Sequence, residues 1–350
     1  MDRSGSDLPM ISVIVPMRNE ATWIDRCLGA VLAQDYPRDR MEVLVVDGMS
    51  SDGSYERLCD FASRDVRVRV LRNPALIVPT GLNLAIREAR GELIARVDAH
   101  TELAPDYLQV GAELLSRTGA DNVGGPMVKL GGGPVGDAIA AAMTSRFGVG
   151  SYFQFAGAER EADTVYMGMW PRKVFEKVGL FDEELIRNQD DELSYRIRKG
   201  GGKIVVSPAM RSQYQNRQSW RTLVRQFYEY GLWKVRVLQK HPWQMSVRHF
   251  VPPVFDALVI AGFASAPLST RGPMLAALAL GIYAAAMALV VFSEERHGRR
   301  WRYWLALVLI HHAWAIGFLT GLVRFAGQWL REERPAPRLA PLAGPSAIGR

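Results

Sequence analysis

The sequence predicts an α/β domain with a doubly wound, largely parallel sheet, followed by helices that cross a membrane. Three observations predict it. In the first hundred residues, β-branched runs alternate with helix-periodic stretches at about 25–30 residues per unit, the signature of strand–helix–strand repeats. Two of those runs close on an acid, Asp47 and Asp98, at the strand ends where open α/β sheets bind ligands. In the last third, residues 272–292 and 303–323 are uncharged stretches of 21 residues each. That length suffices to cross a hydrocarbon core of about 30 Å.

Composition narrows the class. The chain has 350 residues, 48% hydrophobic and 23% charged, which suits a folded domain with an appendage. Of the formal net charge of +7, residues 241–350 carry eleven Arg against five Asp and Glu, a net of +6. The basic excess therefore sits in the apolar third and fits anionic lipid headgroups, not nucleic acid. Cys27 and Cys59 fall in helix-like segments and read as reduced core residues of a cytosolic compartment. The short, polar start Met1–Pro9 does not resemble a signal peptide, so the N-terminal domain is expected to stay in the cytoplasm.

Ile11–Met17 is a β-branched run containing Pro16, which suits a buried parallel strand. Arg18, Asn19 and Glu20 follow, then a helical stretch with Trp23, Ile24, Cys27, Leu28 and Val31 at helical spacing. Met41–Asp47 is the second strand, and Gly48–Gly53 is a turn in which Ser and Asp52 are poised to cap the next helix. Val68–Leu71 is the third strand and leads to a helix around Gly81–Ala89. Leu93–Asp98 is the fourth. Beyond its end, Asp98 and His100 either face a cleft, where they could hold one divalent cation, or serve as a helix cap and a solvated loop residue.

Asn122–Pro126 reads as a further strand, Gly131–Gly133 as a loop and Asp137–Phe147 as a helix of small residues. Tyr152–Ala162 lacks a period and is expected to be a mobile loop over the site. Met167–Trp170 is a strand that hands over at Pro171 to the helix Arg172–Val178. Asn188–Arg198 is a helix whose first turn holds Asp190, Asp191 and Glu192, where the helix dipole favours negative charge. Lys203–Ser207 closes the domain.

Taken together, Val-Ile-Val-Pro-Met-Arg-Asn-Glu, then Val-Leu-Val-Val-Asp-Gly-Met-Ser-Ser-Asp-Gly, then Val-Asp-Ala-His resemble a family 2 glycosyltransferase of the GT-A fold. No Gly-x-Gly-x-x-Gly follows the first strand, so a nicotinamide or flavin site lacks its phosphate loop. The resemblance implies a Rossmann-like mixed sheet and a UDP-sugar donor. It implies that Pro16, Arg18, Glu20, Asp47, Asp52 and Gly53 line the nucleotide pocket, and that Arg96 and Asp98 face the diphosphate. It implies a divalent metal, Mn²⁺ or Mg²⁺, on Asp98 and His100, with the imidazole favouring Mn²⁺. Gln189-Asp-Asp-Glu-Leu matches the stretch that supplies the catalytic base, which becomes Asp190. Asp191, Glu192 and Trp170 fall on the acceptor side. Gln189 replaces the usual Glu, and His100 the commoner Asp.

Displacing a nucleoside diphosphate from an anomeric carbon requires a cation on the leaving phosphates and a base for the acceptor hydroxyl. The whole arrangement is similar to the ExoA-like, succinoglycan-type branch of bacterial family 2 transferases. That implies an inverting transfer of a hexose, glucose from UDP-glucose, to a polyprenyl-diphosphate-linked saccharide for extracellular or capsular polysaccharide. Two other readings stay open: direct transfer to polyprenyl phosphate, and an inactive membrane-bound nucleotide-sugar-binding protein.

The expected organisation is a transferase domain over 1–210, an amphipathic interfacial segment over 211–248, two to three spans over 249–325 and a disordered basic tail over 326–350. Within 220–240, Arg221, Arg225, Glu229, Arg236 and Lys240 fall on one arc of a helix and Trp220, Leu223, Val224 and Phe227 on the other. Residues 249–270, with Pro252, Pro253 and Asp256, read as a third span or a re-entrant piece. His311 and His312 read as neutral packing residues, because no acid is near them in sequence. The chain is placed in the inner membrane as a multi-pass protein with its catalytic domain on the cytoplasmic face. Oligomeric state is not legible.

Overall fold

The computed structural model describes residues 8–148, 157–215, 218–294, 300–329 and 336–339. Four parallel strands come first, β1 (Ile11–Met17), β2 (Met41–Asp47), β3 (Val68–Arg72) and β4 (Leu93–Arg96), in the order β3-β2-β1-β4. The intervening helices are α1 (Ile24–Leu32), α2 (Ser54–Arg64) and α3 (Val78–Glu88). β1 and β2 are buried along almost their whole length, as near-continuous Ile, Val and Leu runs require when both sheet faces are covered.

β4 stops at Arg96, so Asp98 lies in the turn beyond the strand instead of closing it. β5 (Thr101–Leu103), α4 (Tyr107–Thr118), β6 (Asn122–Gly125) and β7 (Met127–Leu130) follow. After α5 (Pro134–Thr144) and the short β8 (Arg160–Glu161), β9 (Tyr166–Pro171) inserts antiparallel between β4 and β6. The sheet is therefore mixed, in the order β3-β2-β1-β4-β9-β6-β10-β8, with β10 at Ile204–Val206. α6 (Lys173–Val178) and α7 (Gln189–Lys199) precede β10, and β11 (Ser212–Gln215) pairs antiparallel with β5. β5, β8 and β11 are too short to leave a period in the sequence. Of the expected loop Tyr152–Ala162, residues 152–156 lie outside the described residues.

Among the described residues, four α-helices follow: α8 (Trp220–Lys240), α9 (Val251–Ala264), α10 (Arg271–Ser293) and α11 (Arg300–Arg324). Among the same residues, three segments are long and apolar enough to cross a membrane: Val247–Ala264, Arg271–Ser293 and Arg300–Arg324. The chain divides into two compact units. The first is drawn from Met1–Val128, Phe155–Tyr214 and Arg334–Arg350, the second from Lys129–Gln154 and Gln215–Glu333. The boundary expected at residue 210 therefore misses two things. α5 belongs with the C-terminal helices, where Ile139, Ala142 and Met143 share a core with Tyr303 and Leu307. Residues 336–339 belong with the first unit.

Within the second unit, α8 is a packed helix and not an exposed interfacial one. A Cβ on Gly231 would meet the Trp314 carbonyl oxygen at 2.1 Å, and one on Gly317 would meet the Tyr228 carbonyl oxygen at 2.1 Å. Only glycine permits backbones to approach this closely. Gly317→Val is expected to cost about 3 kcal/mol, because its nearest obstacle is rigid backbone. A lowered melting temperature in detergent would measure the loss; an unchanged value would contradict the packing.

One histidine of α11, His312, does have an acidic partner. His312 Nδ1 lies 2.8 Å from Asp256 Oδ1 on α9, and His311 Nδ1 lies 2.8 Å from the Tyr283 hydroxyl on α10. Asp256 is 56 residues away in sequence, so only the folded packing brings the pair together.

Candidate active site

The site is built at the carboxyl ends of β1, β2 and β4, with the first turn of α7. The loops after β1 and β2 are joined by side chains. The Asn19 amide donates to Ser50 Oγ at 2.9 Å, and the Ser51 amide donates to Asn19 Oδ1 at 2.9 Å. The Glu20 amide donates to Ser54 Oγ at 2.9 Å and the Ala21 amide to Asp52 Oδ2 at 3.1 Å. Asp52 also accepts from Ser54, so it ties the two loops together rather than capping α2. Gly53, in the left-handed region at φ 88°, takes the N-cap position. Asn19 and Met49 also have positive φ, which concentrates uncommon backbone in this rim.

Asp47 is fully buried at the end of β2. Its carboxylate accepts the Ser50 amide at 3.1 Å and faces Arg72 Nε at 3.6 Å. Pro16 lies within β1 opposite Val46, and Arg18 is exposed just beyond that strand.

Beyond β4, Arg96 Nε donates to Asp98 Oδ1 at 2.8 Å, and the Tyr166 hydroxyl donates to Asp98 Oδ2 at 3.3 Å. Burial and the adjacent Asp98 charge raise the pKa of Tyr166 well above its ordinary value, so it stays protonated. Thr101 Oγ1 lies 2.9 Å from the same hydroxyl. Beneath, Cys27 Sγ approaches the Asp98 carbonyl, and burial pushes its thiol up to about 12. Cys27 is thus an unreactive core residue as expected, whereas Cys59 is exposed, contrary to the core placement expected for both. His100 Nδ1 lies 3.3 Å from Glu20 Oε1, and its ring meets Tyr214 edge-on at 4.8 Å. Tyr166, Thr101 and Tyr214 were not foreseen. Only the pairing of β5 with β11 and the antiparallel β9 bring them here.

Asp190 stands in the first turn of α7 after Asn188, whose φ of 63° starts the helix sharply. Burial raises the Asp190 carboxyl above the ordinary carboxylate range; Arg96 opposes the shift, and Asp191 and Asp98 add to it. Arg96 feels both Asp98 and Asp190, which more than offset burial and keep it charged. For Asp98 the balance is reversed: burial favours the neutral form, but Arg96 and His100 hold the carboxyl below its usual value. One guanidinium thus hydrogen-bonds Asp98 and acts electrostatically on Asp190 as well. Its Nη1 is buried without a partner among the described residues.

Two expected acceptor-side residues are placed elsewhere. Trp170 is 2% exposed and packs edge-on against Phe175 and Phe181 at centroid distances of 5.6 and 6.1 Å. It is a core residue. Glu192 is equally buried, and its carboxylate binds Arg196 Nε at 2.6 Å. Arg196 in turn donates to the carbonyls of Val178, Gly179 and Leu180, closing the end of α6. Asp191, by contrast, stays beside Asp190. Gln189 is buried with its Oε1 unpartnered among the described residues.

No three His, Cys, Asp or Glu side chains converge as a metal cage among the described residues. Asp98 and His100 offer one carboxylate and one imidazole. That suits a hard cation that keeps waters and takes its other oxygens from a bound diphosphate.

The profile of Glycosyl transferase family 2 matches residues 12–178, from the start of β1 to the end of α6. The chain carries a family 2 glycosyltransferase domain. The transferase is 29% identical over 327 residues to the succinoglycan biosynthesis protein ExoA of Rhizobium meliloti, covering 89% of this chain and 95% of that one. It is 27% identical over 238 residues to a Methanococcus voltae protein, covering 66% of this chain and 74% of that one. That relative is named dolichyl N-acetyl-alpha-D-glucosaminyl phosphate 3-beta-D-2,3-diacetamido-2,3-dideoxy-beta-D-glucuronosyltransferase. Among solved structures, the fold of the transferase is like that of the mannosyltransferase PcManGT from Pyrobaculum calidifontis, in complex with GDP-Man and Mn²⁺. The TM-score is 0.59 at 22% identity, with 91% of this chain and 89% of that one covered.

Proposed function

We propose that this glycosyltransferase moves a hexose from a nucleoside-diphosphate sugar, UDP-glucose by resemblance, to a polyprenyl-diphosphate-linked saccharide in polysaccharide synthesis. The observation that carries the reading is the Asp98–Arg96–Asp190 cluster, two acids of opposed pKa shift that act on one buried guanidinium. Its unpartnered Nη1 is complementary to an anionic leaving group. The acceptor class is supported by the two relatives' names, one a succinoglycan protein and the other acting on a dolichyl-linked sugar.

In this reading the joined β1 and β2 loops seat the nucleotide against Asp47. Arg96 orients the diphosphate. Asp98 and His100 would hold a divalent cation, Mn²⁺ or Mg²⁺, which supplies charge neutralisation for the departing phosphates. Asp190 accepts the proton of the acceptor hydroxyl as that oxygen attacks the anomeric carbon and the nucleoside diphosphate leaves. One displacement inverts the centre, so a single base suffices. The raised pKa of Asp190 makes it a better proton acceptor than an ordinary carboxylate. The transfer takes place at the cytoplasmic face of the inner membrane.

The test is nucleoside-diphosphate release from a panel of UDP- and GDP-sugars, with and without Mn²⁺ or Mg²⁺ and a polyprenyl-linked lipid extract. Release that rises with the extract for one donor names the sugar. Absence of both release and nucleotide binding across the panel overturns the reading. Asp98→Ala is expected to weaken metal-dependent donor binding at least tenfold by calorimetry, and unchanged affinity would remove Asp98 as a ligand.

A further inference from the structure

Three short strands of the first compact unit deliver side chains to the turn that carries Asp98 and His100. Thr101 is the first residue of β5 and Tyr166 the first of β9. Tyr214 lies in β11, where it pairs with Thr101.

The Thr101 amide closes the turn by donating to the Asp98 carbonyl at 2.9 Å. The Thr101 hydroxyl lies 2.9 Å from that of Tyr166, which lies 3.3 Å from Asp98 Oδ2. Chemistry sets the direction of these bonds. An ionised carboxylate only accepts, and a phenol has a single hydrogen to give. That hydrogen goes to Asp98, so Thr101 donates to the phenol oxygen. The chain of bonds runs from Thr101 through Tyr166 to Asp98, and it starts from a threonine that is 1% exposed.

The torsion that turns a carboxylate about its last carbon–carbon bond is soft, so the side chain does not hold its own plane. At Asp98 the plane is held from outside. Arg96 Nε donates to Oδ1 at 2.8 Å while the Tyr166 hydroxyl donates to Oδ2, so both oxygens are engaged. Two of roughly four lone-pair positions are used in this way, which leaves the others for a ligand. With Arg96 alone, the carboxylate would swing about one contact. The Tyr214 ring stands edge-on to Tyr166 at 5.9 Å and to His100 at 4.8 Å, so one ring braces both the phenol and the imidazole.

We infer that Tyr166 is a positioning residue: held by Thr101 and braced by Tyr214, it fixes the carboxylate with which Asp98, together with His100, takes a divalent cation. The inference rests on the reading of Asp98 and His100 as cation ligands, and it adds the group that orients one of them. Groups that orient a metal ligand from behind typically contribute about 10–100-fold in metal affinity. A hydroxyl that only joined β5 to β9 would contribute to stability and leave that affinity alone.

The experiment uses the full chain in detergent. Mn²⁺ binding is followed by loss of the aqueous ion's electron paramagnetic resonance signal, with UDP and separately with GDP. Nucleotide affinity in the presence of a chelator is measured alongside by calorimetry. Tyr166→Phe removes one oxygen and keeps the ring against Tyr214. It is expected to weaken Mn²⁺ binding about 10–100-fold with nucleotide present, while metal-free nucleotide affinity stays at the wild-type value. Unchanged Mn²⁺ affinity overturns the inference. An equal loss of both affinities also overturns it, because Tyr166 would then serve only the shape of the pocket. Should Tyr166→Phe fail to fold, Thr101→Val removes the donor behind the phenol. A smaller loss of Mn²⁺ affinity is expected there, with recovery in Thr101→Ser, and a flat response across both variants counts equally against Tyr166. Failure of the underlying reading looks different: the unaltered protein then binds no Mn²⁺ with either nucleotide, and Asp98 falls as a ligand with Tyr166 behind it.

Discussion

Asp190→Asn is expected to lower transfer by about 10²–10⁴-fold, the usual contribution of a positioned base, while leaving donor binding close to wild type. The same change is expected to raise the melting temperature at neutral pH. The pKa of Asp190 is raised by burial, so the folded state holds this proton more tightly than the unfolded chain. Its stabilising contribution is therefore fully present below the unfolded value of about 3.9 and is lost as pH rises through the higher folded value. Above that folded value the buried carboxylate is a burden that Asn lifts. The acid limb of the rate profile should likewise sit above the ordinary carboxylate range. Full turnover in Asp190→Asn, measured as nucleoside diphosphate released with lipid acceptor, would remove it as the base. Loss of activity together with a lower melting temperature would mean instead that the residue serves the fold.

Glu192→Ala is expected to cost about 3–5 kcal/mol, since it strands a largely buried guanidinium. The loss should appear as a lower urea midpoint for the transferase unit, with no specific change in acceptor KM among the molecules that remain folded. A selective KM effect at unchanged stability would return Glu192 to the acceptor side. Glu192→Gln should fall between the two, because it can still accept a hydrogen bond from Arg196 without balancing its charge.

These two acids, two residues apart in the first turn of α7, show where sequence reasoning reached and where it stopped. The strands β1 and β2 were legible because fully buried parallel strands must be apolar throughout, β3 and β4 were shorter apolar runs broken by Arg, and all four bounds came out within a residue or two. The acids at the ends of β2 and β4 were legible for the same reason, as abrupt charges after apolar runs. The division of labour within Asp190, Asp191 and Glu192 was not. It depends on which carboxylate meets Arg96 and which meets Arg196, and on three carbonyls at the end of α6 that need closing. Trp170 was misplaced for a similar reason: its neighbours Phe175 and Phe181 are close in sequence, but only α6 and the turn after it bring them to its ring. Asp256 and His312 met through packing of two helices that carry no sequence mark of being neighbours.

The four bonds between the β1 and β2 loops have a consequence for engineering donor preference. Asn19 donates its amide to the Ser50 side chain and accepts the Ser51 amide on its own side chain, while the Ser54 and Asp52 side chains accept the amides of Glu20 and Ala21. Neither loop is a module. A graft of residues 18–21 alone would arrive without its side-chain acceptors, and so would a graft of 48–54 alone. The exchangeable part is the pair, transplanted together on the strands that aim it.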